Sequence, residues 1–132
     1  MTFVDTNFLL ALINHRDKFH AEALVLADDY RGLKLLTTDA VLLEVGNGLA
    51  RGFRCEAAAL FDELENSAEV EIVRLDPEIF EQAINLFELH TDKTWGLVDC
   101  VSFVVMRQYG ITDALTYDQH FIQAGFRALM RE

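Results

Sequence analysis

Basic residues are scarce in this chain: 11 Lys and Arg stand against 22 Asp and Glu, for a net charge of −11. Nucleic-acid proteins draw much of their affinity from Lys and Arg on phosphates, so this balance counts against such a partner unless the acids have another task. Cysteine is nearly absent as well. Cys55 and Cys100 stand far apart, with no Cys or His spacing that suggests zinc, and both read as reduced core residues of a cytoplasmic protein. The single proline and the lack of any repeat, low-complexity tract or Pro/Gly-rich linker argue against disorder. With 132 residues and a 52% apolar fraction, the expectation is one domain, residues 1–132, that builds its core without disulfide or metal staples. No stretch of about 18 uninterrupted apolar residues exists, so no membrane partner is expected. The apolar N-terminal run lacks a basic lead and contains Asp5, unlike a signal peptide.

What is present alternates. Phe3-Val4 reads as a short strand and Phe8–Ile13 as a helix. Apolar residues at helical spacing mark Phe19–Tyr30, with Gly32 as its stop, and Leu33–Thr37 follows as a strand. Thr38 or Asp39 can cap a helix over Ala40–Leu49, and a further helix runs over Glu56–Asn66. Val70–Leu75 alternates as a strand does; Asp76-Pro77 pairs an N-cap with proline at the first helical position and opens a helix to about His90. Leu97–Tyr109 is a strongly apolar helix ending at Gly110. Ile111–Thr116 is strand-like, Tyr117–Gln123 a short helical turn, and Phe126–Met130 a last strand. Short strands alternating with helices predict a three-layer α/β/α domain around a mainly parallel sheet of four to five strands. Ligands of such sheets sit beyond the carboxyl ends of the strands, where Asp5 and Asp118 fall.

Four acids stand out. Glu44 interrupts the apolar helix stretch Ala40-Val41-Leu42-Leu43-Glu44-Val45, and Asp99 interrupts Leu97-Val98-Asp99-Cys100-Val101. Burying either charge without a partner would cost several kcal/mol, of the order of 3–5, and neither has Lys or Arg three or four positions away. Asp5 and Asp118 each have a purely structural reading as helix caps. Those readings must succeed one by one, whereas one metal site accounts for all four acids. Hard cations want oxygen ligands, and two of them would offset four negative charges and clamp both oxygens of a phosphodiester displacement. Thr6 and Thr116 lie beside the acids, and Asn47 and Ser102 follow Glu44 and Asp99 by one helical turn; these are candidate donors that orient carboxylates or hold the water.

The stretches "VDTN", "LLEVGNGL", "LVDCVS" and "ALTYDQHF", in this order and over nearly the whole length, resemble PIN-domain proteins, and most of all the VapC toxins of prokaryotic toxin–antitoxin pairs. The resemblance implies that Asp5, Glu44, Asp99 and Asp118 form the Mg²⁺ or Mn²⁺ site of an endoribonuclease. Such an enzyme cleaves RNA with metal-activated water and without a covalent intermediate. It further implies an RNA substrate such as tRNA, rRNA or mRNA, an antitoxin protein partner and a homodimer. Many relatives carry another acid where this chain has His120, which puts a second metal in doubt.

Two other readings stand beside the nuclease. One is a PIN-fold module that grips RNA or protein without cutting. The other is aspartyl phosphotransfer from Asp5, although the second acid such enzymes place two residues on is Asn7 here. His15, His20 and His90 read as surface or loop residues, while His120 is close enough to Asp118 to touch substrate. Trp95 reads as a core or interface aromatic, with base stacking as the alternative. Arg16, Lys18 and Lys93 are solvated residues or weak phosphate contacts, and Cys55–Leu64 is core or else a partner or dimer face.

Overall fold

The computed structural model describes residues 1–132. The element order is β1 (Thr2–Val4), α1 (Thr6–Ile13), α2 (His20–Asp29), β2 (Leu35–Thr38), α3 (Asp39–Leu49), α4 (Arg54–Asn66), β3 (Val70–Val73), α5 (Pro77–Leu89), α6 (Leu97–Gln108), β4 (Asp113–Leu115), α7 (Gln119–Gln123) and β5 (Arg127–Ala128), closed by a 3₁₀ turn over Leu129–Arg131. The five strands form one sheet in the order β3-β2-β1-β4-β5, and every pairing is parallel. The expected α/β/α arrangement is thus observed. No helix is long and apolar enough to cross a membrane.

The local chemistry explains most boundaries. Thr38 caps α3 by accepting the Val41 N–H at 3.1 Å, and Asp76 caps α5 by accepting the Ile79 N–H at 2.8 Å ahead of Pro77. Gly110 takes a φ of 66° just past α6, a conformation that favours glycine. The last strand is shorter than the apolar pattern of Phe126–Met130 predicts. Only Arg127–Ala128 pairs with β4, because the Met130 N–H turns back to the Thr116 carbonyl and tightens the chain into the 3₁₀ turn. Cys100 is buried as expected; Cys55 is exposed. The inner face of α4 is set by Ala57 and Leu60, and a residue two positions before Ala57 points roughly 200° away from it.

The sheet order contains a topological switch. The chain moves outward from β1 to β2 to β3, then crosses back over β1 to lay down β4 on its other side. A parallel sheet built this way opens a crevice at the carboxyl ends of the two strands flanking the reversal. Here those strands are β1 and β4, joined in register as Phe3 with Ala114 and Val4 with Leu115.

The walls of that crevice are held by aromatic packing. Phe103, fully buried on α6, meets Phe121 at 5.0 Å and 84° and Trp95 at 5.1 Å and 77°, with Phe126 at 5.6 Å. Edge-to-face contacts of this kind add to plain area burial. They join α6, α7 and the loop before α6 into one unit. Phe103→Ala is therefore expected to destabilise the protein by about 3–5 kcal/mol, measured as a lowered urea midpoint at unchanged slope.

Candidate metal centre

The Asp5 carboxyl leaves β1 at its carboxyl end and is 4% exposed. It occupies the N-cap position of α1, yet its side chain makes no capping bond. Its Oδ2 instead accepts the Thr116 hydroxyl at 2.8 Å, from the residue just past β4. The cap reading of Asp5 therefore fails. Burial raises its pKa from 3.8 to about 7; the Thr116 hydroxyl and the Thr6 N–H oppose this, and the charges of Asp99 and Asp118 add to it.

Asp99 sits in the first turn of α6, where its Oδ2 accepts the Gly96 N–H at 3.0 Å and faces His120 Nδ1 at 3.0 Å. Burial holds its pKa above the usual carboxylate range, against the pull of the Gly96 N–H and His120. Asp118 caps α7 through Oδ1, which accepts the His120 N–H at 2.9 Å and also lies 3.3 Å from His120 Nδ1. Asp118 thus serves as both cap and cluster member. One donor atom from each of Asp99, Asp118 and His120 falls within 4.8 Å of the others.

Glu44 stands apart from this tight group. Rather than being buried as its apolar surroundings suggest, it is exposed, because α3 turns Ala40, Val41, Val45 and Leu49 inward. It is tied to β1's exit through Thr6, whose hydroxyl donates to Glu44 Oε1 at 2.6 Å. Among the four expected orienting donors, Thr6 and Thr116 contact acids. Ser102 is fully buried and its hydroxyl donates to the Val98 carbonyl at 3.1 Å, within its own helix. Asn47 is exposed and lines a shallow apolar groove of about 250 Å³ with Glu44, Leu43 and Phe80.

Two features escaped the sequence reading, the Gly96–Asp99 cap and the Asn7 contacts, and a third, His120, was expected only to touch substrate. His120 lies between two of the acids; the signal was its place two residues after Asp118. Gly96 and Asp99 stand at cap and third helical position, a spacing that matches a capping arrangement and could have been noticed. Asn7 Oδ1 accepts the Thr116 hydroxyl at 3.1 Å and the Tyr117 N–H at 3.4 Å, pinning the β4 exit beside Asp5. Trp95 is 6% exposed with its indole N–H on Gln123 Oε1 at 2.9 Å, so it is a core aromatic rather than a free stacking platform. Arg16 and Lys18 are exposed. Lys93 pairs with Asp92 at 3.0 Å and, with Thr91 and Thr94, lines a cleft of about 540 Å³.

No lysine or arginine pairs with Asp5, Glu44, Asp99 or Asp118. Carboxylates gathered without a cationic side chain, one of them buried and reluctant to ionise, fit a divalent cation in donor chemistry and in charge.

Known proteins with this pattern support the same direction. The chain matches the family model described as PIN domain over residues 2–127. It is 38% identical over 128 residues to the 23S rRNA-specific endonuclease VapC20 of Mycobacterium tuberculosis (strain CDC 1551 / Oshkosh), across 96% of this chain and 95% of that one. The crystal structure of Mycobacterium tuberculosis VapC20, described as a sarcin-ricin loop cleaving toxin, superposes with a TM-score of 0.87 at 31% identity over 96% of this chain and 97% of that chain. FitAcB from Neisseria gonorrhoeae shares the fold, with a TM-score of 0.65 at 19% identity over 97% of this chain and 95% of that chain.

The raised Asp5 pKa makes a stability prediction for the metal-free protein. Between the unfolded value of 3.8 and the folded value of about 7, the folded state binds the extra proton, so stability falls as pH rises through that window and the cost is full above it. Asp5→Asn removes the titration. In chelator, the variant's stability advantage is expected to grow from roughly 1.5 kcal/mol at pH 5 to roughly 4 kcal/mol at pH 8. Urea melts at the two pH values check this, and an equal difference at both would contradict it.

Proposed function

The chain belongs to the PIN-domain family, and from that premise we propose that it is a metal-dependent endoribonuclease of the VapC toxin type, with ribosomal RNA as its substrate. One observation carries the reading: buried and half-buried acids from β1, α6 and the β4 exit converge at the topological switch with no cationic side chain to neutralise them. The 38% identity to a 23S rRNA-specific endonuclease over 96% of the chain supports the substrate class.

In this reading Asp5, Asp99 and Asp118 hold Mg²⁺ or Mn²⁺, with Glu44 closing the site from α3. A cation held there supplies charge neutralisation and the activation of water that phosphodiester hydrolysis requires. The chain's own groups do the positioning. Thr116 fixes the Asp5 carboxylate, the Gly96 N–H fixes that of Asp99, and Thr6 steers Glu44 toward the β1 exit. Water is the nucleophile, the bridging P–O bond breaks, and no side chain becomes covalently attached. Asn7 suits this better than phosphotransfer, because its Oδ1 is engaged by Thr116 and Tyr117 and it has no acidic proton to offer a leaving group.

The −11 charge bears on recognition. A surface so acidic binds arbitrary RNA weakly, so selection rests on the shape of a structured RNA presented to the cleft beside Lys93 and Thr94. A small antitoxin and a homodimer complete the proposed biology, as in toxin–antitoxin pairs generally.

Purified protein incubated with ribosomes is expected to release a discrete 23S rRNA fragment in Mg²⁺ or Mn²⁺ and none in chelator. Asp5→Asn and Asp99→Asn are each expected to keep the fold by circular dichroism and lower cleavage more than about 100-fold. Full cleavage by either variant, or undiminished cleavage in chelator, would overturn the assignment.

A further inference from the structure

His120 is placed as a ligand would be. Its Nδ1 is directed between Asp99 Oδ2 at 3.0 Å and Asp118 Oδ1 at 3.3 Å. Donors in adjacent positions of an octahedron with bonds of about 2.1 Å lie about 3.0 Å apart, close to the two nitrogen–oxygen separations, and one donor atom from each of the three residues falls within 4.8 Å of the others. The other ring nitrogen is occupied as well, since Nε2 lies 3.1 Å from the Thr94 hydroxyl oxygen. A histidine whose Nε2–H donates to an oxygen presents its Nδ1 lone pair, the tautomer that metal ligation needs. The ring is only 21% exposed and its backbone N–H is held by Asp118, so its position is set by the fold rather than by a flexible side chain.

We propose that His120 contributes its Nδ1 to the cation site alongside Asp99 and Asp118, giving a mixed nitrogen and oxygen site that prefers first-row transition ions such as Mn²⁺ over Mg²⁺. The inference rests on the metal-dependent reading above. Its chemical basis is ligand softness: carboxylates and water suit Mg²⁺, which retains its waters reluctantly exchanged, whereas imidazole shifts a site toward transition ions.

The alternative is a histidine that only bridges Asp99 and Asp118 and leaves the cation to the acids. Electron spin-echo envelope modulation of the Mn²⁺-loaded protein separates the two, because a ligating imidazole couples its ¹⁴N nucleus to the ion. Wild-type protein is expected to show this coupling. His120→Ala is expected to lose it and to bind Mn²⁺ at least about tenfold more weakly. His120→Asp, which restores a carboxylate and guards against a misfolded alanine variant, is expected to lose the coupling while binding Mg²⁺ more tightly than wild type. Mn²⁺ binding without ¹⁴N coupling in wild type, or coupling that survives in His120→Asp, would overturn the ligand role and leave the nuclease reading standing. No measurable binding of either ion would overturn both.

Discussion

The whole arrangement turns on one buried carboxylate. Asp5 sits at the end of the central strand with only 4% of its surface in contact with solvent, and the protein answers it with a hydroxyl rather than a cationic side chain. Desolvation drives its pKa to about 7, so at neutral pH the folded chain carries an ionisation problem it does not solve by itself. Every neighbouring element bears on that point. β4 delivers Thr116, α6 delivers Asp99, and α7 begins at Asp118. The aromatic cluster around Phe103 keeps the last two in place.

Charge and function are linked through the same constraint. A surplus of acids on a nuclease looks contradictory while each acid is treated as surface, since RNA is itself an anion. It stops being so once several of the acids are seen to face one another across the sheet's switch point. A divalent cation there would lower the local charge and make a place for a phosphate oxygen, while the acidic remainder of the surface would disfavour indiscriminate binding. His120 adds a nitrogen to this otherwise oxygen-based group, and Thr94 joins it to the neighbouring cleft.

The elements themselves were largely legible in the sequence. Asp76-Pro77 opened α5 and Thr38 capped α3 because capping chemistry is local, read over three or four residues. Boundaries failed where a distant backbone group intervened, as when the Thr116 carbonyl drew Met130 out of the last strand. Burial failed for Cys55 and Glu44 because apolar neighbours along the chain do not say which way a helix is rotated. Ser102 likewise shares the α6 sequence with Asp99 but spends its hydroxyl on Val98.

The sequence by itself determined which residue types lie at the strand exits and the α/β alternation that brings strand ends to one edge, because both follow from short-range pattern. Tertiary structure decided which acids meet. Asp5 and Thr116 are separated by 111 positions and joined by a 2.8 Å bond; Asp99 and His120 are 21 apart and 3.0 Å from each other. No local rule reaches over such separations. Only the crossover that returns the chain past β1 gives Asp5 its low-dielectric surroundings and places a histidine among the acids.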